Sequence, residues 1–589
     1  MLSAGVCDEI NLVGPPGSGK TTALRHLAAV LPPDAPVRLV DLVPGRLSES
    51  HRIAIKPDRA QLAVVASVEP IHPSTNITMT LAPWSDDDLI EYLLFTHKQR
   101  CQSVMTRVMA DAGRSGLGGS PLIWRIVLDH MAADESVCDI DSALRRHLEL
   151  ELCDQDCRDA AESFCLYRLA PTVPQPPPFS VDRRLSRVLS CRPVQMILAA
   201  ERLAADFSFG ITGIELHERL PKELVQRTAD LSKESPVALR RIEQIADGGD
   251  RLAQPMAVSL LHAMGFAWRP RAGEVAMLAG AYLAGLRCQG AALDHACLVC
   301  TDLRAANLSG ANCDHVKAKE VLLNRAVLSR ASLRKADLES AELTAANLSD
   351  AIADGVNLRG ANVESARLDG ASLRNANLRH ANVGRASFVS ANLADADFGG
   401  AHITGADFRD ANLRGAKLRR MSLRGARWTG ADFRGADLTE CNLEGMRLRN
   451  ARFREASLAK SLFTGCRMRR ADFRGADLTG AKLAEVDWRD ADLRNADLTG
   501  ATFHMGSTRS GMVGSDLACE GSRTGFYTND FHDRRFKDPR EIRKANLRGV
   551  DLRGAKIDQT DFYLVDLRGA RYTAEQREHL LRCGAILRR

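Results

Sequence analysis

The first residues that could do chemistry lie in the segment NLVGPPGSGKTTAL, Asn11 to Leu24. The segment fits the pattern G-x-x-x-x-G-K-[ST]. In this pattern, glycine N–H groups surround phosphate oxygens, a lysine neutralises the β/γ oxygens and a hydroxyl can ligate Mg²⁺. The sequence therefore predicts a site for ATP and Mg²⁺, with Thr21 as a metal ligand. The nucleotide-binding residues that we expect in this loop are Gly14, Gly17, Ser18, Gly19, Lys20, Thr21 and Thr22.

The elements around this loop are those that a phosphate site requires. The sequence predicts a short strand at Ile10–Val13 and a helix at Thr21–Leu31, whose N-terminus would point at the phosphates. A second strand at Val37–Leu42 carries Asp41, whose carboxylate we expect to bind the nucleotide's Mg²⁺. The alternative is an aspartate that closes an ordinary turn. A third strand at Gln61–Ser67 fits a parallel sheet built from βα units.

Two further segments extend this pattern. LAPWSDDDLIEYLL (Leu81–Leu94) has an N-cap at Ser85 before an acidic helical turn, and GGSPLIWRIVLDHM (Gly118–Met131) has a Gly-x-Pro turn before another helix. With the phosphate loop, they make residues 8–135 similar to the STAND class of signal-transducing P-loop ATPases, which includes the NACHT-type switches. The tetrapeptide at 119–122, GSPL, matches the Gly-x-Pro-Leu motif of that class. The resemblance implies a nucleotide-binding switch whose proline helps fold a helical lid onto the nucleotide.

Two departures from that class concern turnover. Leu42 stands where many ATPases place a second acid, and the third strand continues into ASVEP without an arginine. Nucleotide binding therefore carries over better than hydrolysis, and weak ATPase activity is left open. Both helix-start segments are also typical of ordinary turns before helices.

Bulk properties indicate several globular domains, because 589 residues are too many for one hydrophobic core. The net charge of +6 neither requires nor excludes nucleic acid as a partner. The opening residues lack a signal-peptide pattern. The best apolar stretch, VAMLAGAYLAGL from Val275, is too short to span a bilayer and predicts a buried helix. We therefore expect a cytoplasmic protein with no membrane association and with reduced thiols.

The second half of the chain has a period of five. From Leu293 to Phe503 a large apolar residue recurs at every fifth position, with few lapses such as Ala318 and Ala353, and in most units alanine stands two residues before it. Five is neither the helical nor the strand period, so a short extended segment followed by a corner explains each unit. Aromatic residues twenty apart predict four units per coil and stacked rings on one wall. These sets are Phe433, Phe453 and Phe473, and Phe388, Phe408 and Trp428.

This pattern, A-[D/N]-L-x-x, is identified as that of the pentapeptide-repeat family, and ADLRNADLTG (Ala491–Gly500) is a typical stretch. The resemblance implies a right-handed quadrilateral β-helix, a solenoid with four units per coil. About 11 coils at strand spacing would span roughly 50 Å, and both ends need caps. We expect the front cap at Ala276–Cys288 and the rear cap at Thr573–Leu587.

The predicted fold class is therefore multidomain: an α/β domain, an α-helical middle region and a C-terminal β-helix. A proline-rich stretch marks the first boundary, and the repeat changes frame after Phe503. The expected regions are a P-loop NTPase-like domain with a helical lid (1–170), a linker (171–180), a helical domain with the front cap (181–288), the repeats (289–505), a frame slip with an excursion loop (506–545), final repeats (546–572) and a capping helix (573–589).

The repeat register also predicts a column of exposed arginines, each twenty residues from the next: Arg414, Arg434, Arg454, Arg474 and Arg494. Residues 411–470 carry 15 Lys and Arg against 5 Asp and Glu, so the column could bind an anionic partner. Aspartates two residues earlier in several of these units could instead neutralise it. Residues 291–503 hold 32 basic and 27 acidic side chains, so the β-helix lacks the acidic surface with which some family members mimic DNA.

Taken together, these features predict a nucleotide-controlled switch or scaffold whose β-helix presents a protein-interaction surface. One alternative is an interaction module with a degenerate nucleotide site. Another is a protein that binds nucleic acid, or a different anionic partner, through the arginine column. The C-x-x-C of Cys297 and Cys300, with His295 and Cys313 nearby, suggests zinc, but the repeat register already accounts for these residues.

Overall fold

The computed structural model describes two compact units, residues 1–241 and 242–589, which are treated separately below. The predicted phosphate loop, the helix at Thr21–Leu31, most of the linker and nearly all of the excursion loop lie outside the described residues. For the four strands of the first unit, the description covers the backbone alone. The described residues are 9–13, 37–41, 62–67, 77–80, 84–111, 114, 117, 120–171, 173, 176, 183–209, 216–271, 273–503, 545–563 and 565–587.

A parallel four-stranded sheet begins the first unit. Its strands are β1 (Glu9–Val13), β2 (Val37–Asp41), β3 (Leu62–Ser67) and β4 (Ile77–Thr80), in the order β2-β3-β1-β4 across the sheet. The first three coincide with the valine- and leucine-rich runs from which strands were expected, as is typical of parallel sheets. The sequence analysis missed β4, because ITMT is too short and too polar to stand out as an apolar run.

The rest of the first unit, as far as it is described, is helical. The first helix starts with a capping box: the Ser85 hydroxyl accepts the Asp88 N–H, and the Asp88 carboxylate accepts the Ser85 N–H at 2.7 Å. The described helices up to the β-helix are α1 (Asp86–Thr96), α2 (Cys101–Ala110), α3 (Pro121–Ala133), α4 (Ile140–Glu151), α5 (Gln155–Leu169), α6 (Arg183–Leu189), α7 (Arg192–Phe209), α8 (Lys222–Ser232), α9 (Pro236–Gln244) and α10 (Gln254–Ala263).

Helix α7 is the centre of the helical part of the first unit, since it packs against both α5 and α8. Polar contacts reinforce this packing. Glu201 on α7 accepts hydrogen bonds from Arg145 on α4 and Arg158 on α5, each at 2.9 Å. None of the helices in the described ranges is both long and apolar enough to cross a membrane.

The second unit is dominated by a β-helix in which residues twenty apart pair in parallel. Asp432, Arg452, Asp472 and Asp492, for example, form successive bridges along one face. Main-chain hydrogen bonds hold each coil to the next, such as Phe453 N–H to the Asp472 carbonyl at 2.7 Å. Each coil therefore contains four five-residue units, one per face. About 13 coils at a spacing of roughly 4.8 Å span about 60 Å.

The corners of the coil use left-handed backbone at the fifth residue of each unit. Ser340 and Asp350 are typical, with φ values of 56° and 58°. This conformation costs a residue other than glycine about 1–2 kcal/mol. The ladder offsets this cost, because the corner N–H is bonded to the next coil: Ser340 N–H donates to the Arg359 carbonyl at 2.9 Å.

The predicted aromatic stacks are confirmed. The rings of Phe433 and Phe453 lie 5.1 Å apart and 4° from parallel, and those of Phe453 and Phe473 lie 5.1 Å apart and 6° from parallel. On a neighbouring face, Phe408 stacks on Phe388 at 4.9 Å and on Trp428 at 4.2 Å. All six aromatic residues of these two stacks are buried in the interior of the β-helix.

The prediction of a buried helix at the front of the solenoid is wrong. Residues 275–286 form bridges and turns of the first coil, with Leu278 N–H donating to the Cys297 carbonyl at 2.7 Å. The physical reason is the period of five, which runs back through Leu283 and Leu278, each with an alanine two residues before it. An apolar helix and an alanine-rich coil look alike in composition.

Helix α10 caps this end instead. Its Gln254 side-chain oxygen accepts the Met277 N–H at 2.6 Å, and its Ser259 hydroxyl accepts the Tyr282 N–H at 2.9 Å. These side chains thus bind ladder donors of the first coil that have no preceding coil to bond. Burial of the whole stretch from Gln254 to Leu261 completes the cap.

At the rear, the coil stops being described at Phe503 and resumes at Ala545. Asn546 pairs with Asp487, and Asp551 pairs with Asp492, so residues 504–544 are inserted between two successive faces. The last helix, α11 (Ala574–Arg582), then lies over the final coils. Its Gln576 amide donates to the Leu552 and Ala555 carbonyls at 2.8 and 2.9 Å.

Truncation of Phe453 tests the stacked core. We expect Phe453→Ala to cost about 3–5 kcal/mol, because it removes a fully buried ring and leaves a cavity between two other rings. Chemical denaturation of the full chain would measure the loss for the transition of the second unit. Phe453→Leu is the control and should cost much less, since leucine fills the same position in most units. Equal effects of the two substitutions would contradict the stacking.

Candidate functional site

Of the predicted nucleotide-binding residues, Asp41 alone lies among the described residues, and the residues of the Gly14–Thr22 loop lie outside them. Asp41 closes β2 and pairs with Ala66, which also pairs with Leu12 of β1. Asp41 therefore lies level with the end of β1, two strands away. Gly14, which opens the phosphate loop, follows Val13 directly in the chain. The carboxyl ends of β1, β2 and β3 thus share one edge of the sheet.

The predicted arginine column lies in register along one face of the β-helix. The corner N–H of Gly415 donates to the Arg434 carbonyl, that of Gly435 to the Arg454 carbonyl and that of Gly475 to the Arg494 carbonyl, each at 3.0 Å. The column also has a member that the sequence analysis missed. Arg553 occupies the position after Arg494, since its carbonyl accepts the Asn495 N–H at 3.2 Å. The inserted segment shifts its number out of the twenty-residue series.

Carboxylates neutralise most of this column. Arg434, Arg474 and Arg494 each bind the aspartate two residues earlier through Nε and Nη2, with Nη2 distances of 2.6–2.7 Å to Asp432, Asp472 and Asp492. Arg414 Nε also reaches Asp432, at 3.1 Å, and Arg454 pairs with Glu455 at 3.1 Å. The geometry of the column therefore agrees with the alternative in which carboxylates of the β-helix neutralise the arginines.

The aspartates of these pairs have a second role in the fold. Asp432 Oδ1 accepts the Arg434 N–H at 3.2 Å, and Asp492 Oδ1 accepts the Arg494 N–H at 3.1 Å. Each carboxylate thus accepts hydrogen bonds both from a main-chain N–H of the turn that follows it and from the guanidinium of the arginine two residues later. This explains why the second position of the repeat favours Asp and Asn, whose oxygens reach the same N–H.

The ion pairs also shift the titration of these carboxylates. The Arg553 guanidinium, which donates two hydrogen bonds to Asp551, holds the pKa of that carboxyl below its usual value despite its partial burial. Arg409 lowers the pKa of Asp407 in the same way. A depressed carboxyl pKa stabilises the folded chain above the unfolded value of about 3.9, and this stability is lost as the pH falls through the folded value.

The cysteines near the start of the β-helix do not form a metal site. No group of His, Cys, Asp and Glu side chains in the described part of the chain could hold a metal ion. Cys313 is buried in the core, and burial raises the pKa of its thiol to about 12. The rings of His295 and His315 stack on each other at 4.9 Å along a column of corners. These residues therefore serve the repeat, as their register indicated.

The Asp551–Arg553 pair can be tested by pH. We expect Asp551→Asn to lower the Tm of the second unit by roughly 1–3 °C at pH 7, because it removes a partly buried ion pair. The difference from the unmodified chain should shrink as the pH falls below about 3.9 and vanish once the pH is well below the lowered pKa of folded Asp551. Calorimetry across this range would measure it. Asp558→Asn is the control, since it removes the same charge from an exposed corner, and an equal loss with it would contradict the account.

Comparison with known proteins agrees with this architecture. The family model described as Pentapeptide repeats (8 copies) matches residues 287–505 in overlapping segments and residues 542–571. No curated protein matches the sequence.

Several solved structures are similar to parts of the chain. HetL, a pentapeptide repeat protein involved in heterocyst differentiation regulation from the cyanobacterium Nostoc sp. strain PCC 7120, is 27% identical, with a TM-score of 0.14, over 38% of this chain and 83% of HetL. Rfr23 from the cyanobacterium Cyanothece 51142 is 33% identical, with a TM-score of 0.12, over 16% of this chain and 58% of Rfr23. QnrB1, a plasmid-mediated fluoroquinolone resistance protein, is 15% identical, with a TM-score of 0.16, over 45% of this chain and 94% of QnrB1. With its twenty-residue coils and the match of the family model, the β-helix of this chain is a pentapeptide-repeat domain.

Proposed function

We propose that this protein is an interaction scaffold whose β-helix presents a binding surface to a protein partner. The observation that carries the proposal is the regular β-helix itself, held by main-chain ladders along most of its length and covered by a helix at each end. Such a surface is preorganised, so a partner that binds it orders little of the scaffold. The described residues support a binding surface more strongly than they support a catalytic site.

The charge of the surface favours a protein partner over a long polyanion. Residues 291–503 are nearly balanced, with 32 basic and 27 acidic side chains, and many of these charges pair with each other on the walls. A nucleic-acid surface would be strongly basic, because affinity for nucleic acid comes mainly from neutralised phosphates. A DNA mimic would be strongly acidic instead.

Site-specific photo-crosslinking tests the scaffold proposal. We expect a cross-linking amino acid placed in turn on each of the four faces of the β-helix to capture one defined partner from a single face in cells of the native host. A rigid wall binds through one side, so the remaining faces are internal controls. Capture from positions on α1–α5 alone, with none from any face of the β-helix, would contradict the proposal.

We further propose that the first unit binds Mg²⁺ and ATP at the loop after β1. The strand order supports this. In the chain, β1 is followed by β2, which lies at one end of the strand order, and β3 is followed by β4, which lies at the other end. The order therefore has a switch point between β1 and β3. Open α/β sheets bind ligands at the carboxyl edge beside such a switch point. The Gly14–Thr22 loop follows β1 at this edge. Lys20 would neutralise the phosphates, and Thr21 and Asp41 would hold the metal ion.

Combined, the two proposals describe a scaffold under nucleotide control, in which ATP is bound and turned over slowly if at all, because Leu42 replaces the second acid. The competing reading is a scaffold whose first unit binds nucleotide only for stability. Limited proteolysis of the full chain with and without ATP separates them. A cleavage pattern that depends on ATP favours control.

Substitution of Lys20 tests nucleotide binding. We expect Lys20→Ala to weaken the binding of a fluorescent ATP analogue at least tenfold, because the lysine charge on the β/γ oxygens is lost. Fluorescence titration of the full chain in Mg²⁺ would measure the affinity. Lys98→Ala, at an exposed lysine in the short 3₁₀ helix Lys98–Arg100 after α1, is the matched control. Equal affinities of the two variants would refute the site.

A further inference from the structure

The face that carries Phe388, Phe408 and Trp428, called here the Trp428 face, holds a second set of arginines. On two consecutive coils the face reads MRLRN (446–450) and CRMRR (466–470). Arg447 pairs with Arg467 in the ladder, and Asn450 N–H donates to the Arg469 carbonyl at 3.0 Å. The four arginines Arg447, Arg449, Arg467 and Arg469, called here the arginine grid, therefore occupy two adjacent rungs in register.

The grid differs from the arginine column in having no ion pair, although Arg469 helps to lower the pKa of Asp487 on the next coil through its charge. None of its four guanidinium groups forms an ion pair with any residue that the structure describes, and all four side chains are exposed. The two rungs contain no acidic residue. Adjacent rungs lie about 4.8 Å apart, and alternate residues of a strand lie about 6.6 Å apart. Four like charges at this spacing repel one another unless an anion lies among them.

Carboxylates lie on both sides of the grid along the axis of the β-helix. Two coils before it, Asp407 binds Arg409 at 2.8 Å, and on the coil after it Asp487 binds Arg489 at 2.6 Å. On the preceding face Glu444 pairs with Arg424 at 3.1 Å. The uncompensated charge is thus a patch two rungs high on one face.

The coil next to the grid departs from the regular ladder. The Trp428 indole N–H donates to the Leu423 carbonyl at 3.0 Å. In regular units this carbonyl accepts a main-chain N–H instead, as the Trp428 carbonyl accepts the Ala431 N–H at 3.1 Å. Ala426 is accordingly only partly buried, unlike the alanine at the same position of most units. A large indole in place of leucine therefore displaces this corner.

Displacement of the corner opens a cleft beside the grid. The bridge that the register requires between Arg427 and Arg447 is not formed, and the main-chain N–H of Arg447 and that of Trp428 have no main-chain acceptor among the described residues. The cleft measures about 350 Å³, and its lining includes Ala426, Trp428 and Arg447. Free main-chain donors and a free guanidinium thus meet at one opening on the surface.

Resting on the proposed scaffold function, we propose that the arginine grid and this cleft bind an extended acidic segment of the protein partner. An extended chain presents alternate side chains on one side at about 6.6 Å, the spacing of Arg447 and Arg449. Glutamates or aspartates at alternate positions meet this pair, and guanidinium groups bind carboxylates through two parallel hydrogen bonds. A main-chain carbonyl of the peptide accepts the free Arg447 N–H at the cleft, which Arg447 lines.

The surroundings of the grid disfavour nucleic acid. A strand of DNA or RNA gains affinity by contacting several phosphates in succession. Laid along the Trp428 face, it would leave the grid and meet Asp407 and Asp410 on one side and Asp487 and Asp490 on the other. A short acidic segment fits between these carboxylates.

Binding of synthetic peptides to the purified full chain tests the inference. The probe is a fluorescein-labelled octapeptide of alternating Glu and Ser, measured by anisotropy at low salt. The first control peptide has Gln for Glu, and the second has four Glu in a row and then four Ser. We expect the alternating peptide to bind at least tenfold more tightly than the Gln peptide and at least threefold more tightly than the blocked one.

Two matched quadruple variants locate the site. Replacing Arg447, Arg449, Arg467 and Arg469 by Ala should weaken the alternating peptide at least tenfold. Replacing Arg414, Arg434, Arg474 and Arg494 by Ala removes the same charge from the column and should weaken it less than threefold. Lysine at the four grid positions keeps the charge and should give an intermediate loss, so a decrease caused by misfolding is recognised by its failure to recover with lysine.

Several outcomes would overturn the inference. They are equal losses in the two alanine variants, equal binding of the Gln peptide, or tenfold tighter binding of a single-stranded oligonucleotide of equal charge that depends on the same four arginines. Photo-crosslinking of the partner to a different face would also overturn it while leaving the scaffold function intact. Failure of cross-linking from every face would instead count against the scaffold function itself.

Discussion

The main-chain hydrogen bonds between coils are the constraint on which the second unit depends. They require that each residue stands above the residue twenty positions earlier, as in the series Asp432, Arg452, Asp472 and Asp492. They also offset the left-handed backbone at corners such as Ser340 and Asp350, because the strained residue is itself a ladder donor. In such a fold the neighbours of a side chain along a face are the residues twenty positions before and after it. The chemistry of each face therefore follows from the residue types that recur at intervals of twenty.

This constraint explains both the interior and the surface. Inside, equal positions on successive coils give parallel ring stacks and a continuous core of leucine and alanine. Outside, it places aspartate and arginine in repeated pairs that share their charges along a face. The recurring pair is interrupted at 446–450 and 466–470, where the face carries net positive charge, and the corner beside Trp428 is irregular because the indole exceeds the place of a leucine in the core.

Much of the second unit was predictable from sequence for the same reason. The period of five and the aromatic spacing of twenty are visible without coordinates, and both reflect the coil directly. The front cap was not predictable from composition, because an alanine- and leucine-rich coil resembles an apolar helix, while the real cap α10 acts through two polar side chains, Gln254 and Ser259. Counting charges over residues 411–470 detected a basic excess but assigned it to the column, where aspartates from the same units neutralise it. Sorting arginines by position within the coil would have found the grid.

In the first unit, the sequence indicates the chemistry of the proposed nucleotide site, and the structure indicates its position on the sheet. The loop pattern at Gly14–Thr22 specifies the chemistry, whereas the order β2-β3-β1-β4 specifies the edge of the sheet at which that chemistry would take place. The fourth strand and the strand order come from pairing between distant segments, which a single sequence does not reveal. The resemblance to signal-transducing ATPases and the scaffold proposal therefore meet at one testable idea, a nucleotide site in the same chain as a rigid binding surface.

The central claim is that residues twenty apart lie directly above one another in a four-faced coil. A crystallographic electron-density map of the full chain tests it most directly at Phe433, Phe453 and Phe473. The account predicts three parallel rings on one face with successive centroids about 5.1 Å apart. Rings on different faces, or a repeat along the coil other than twenty residues, would contradict it.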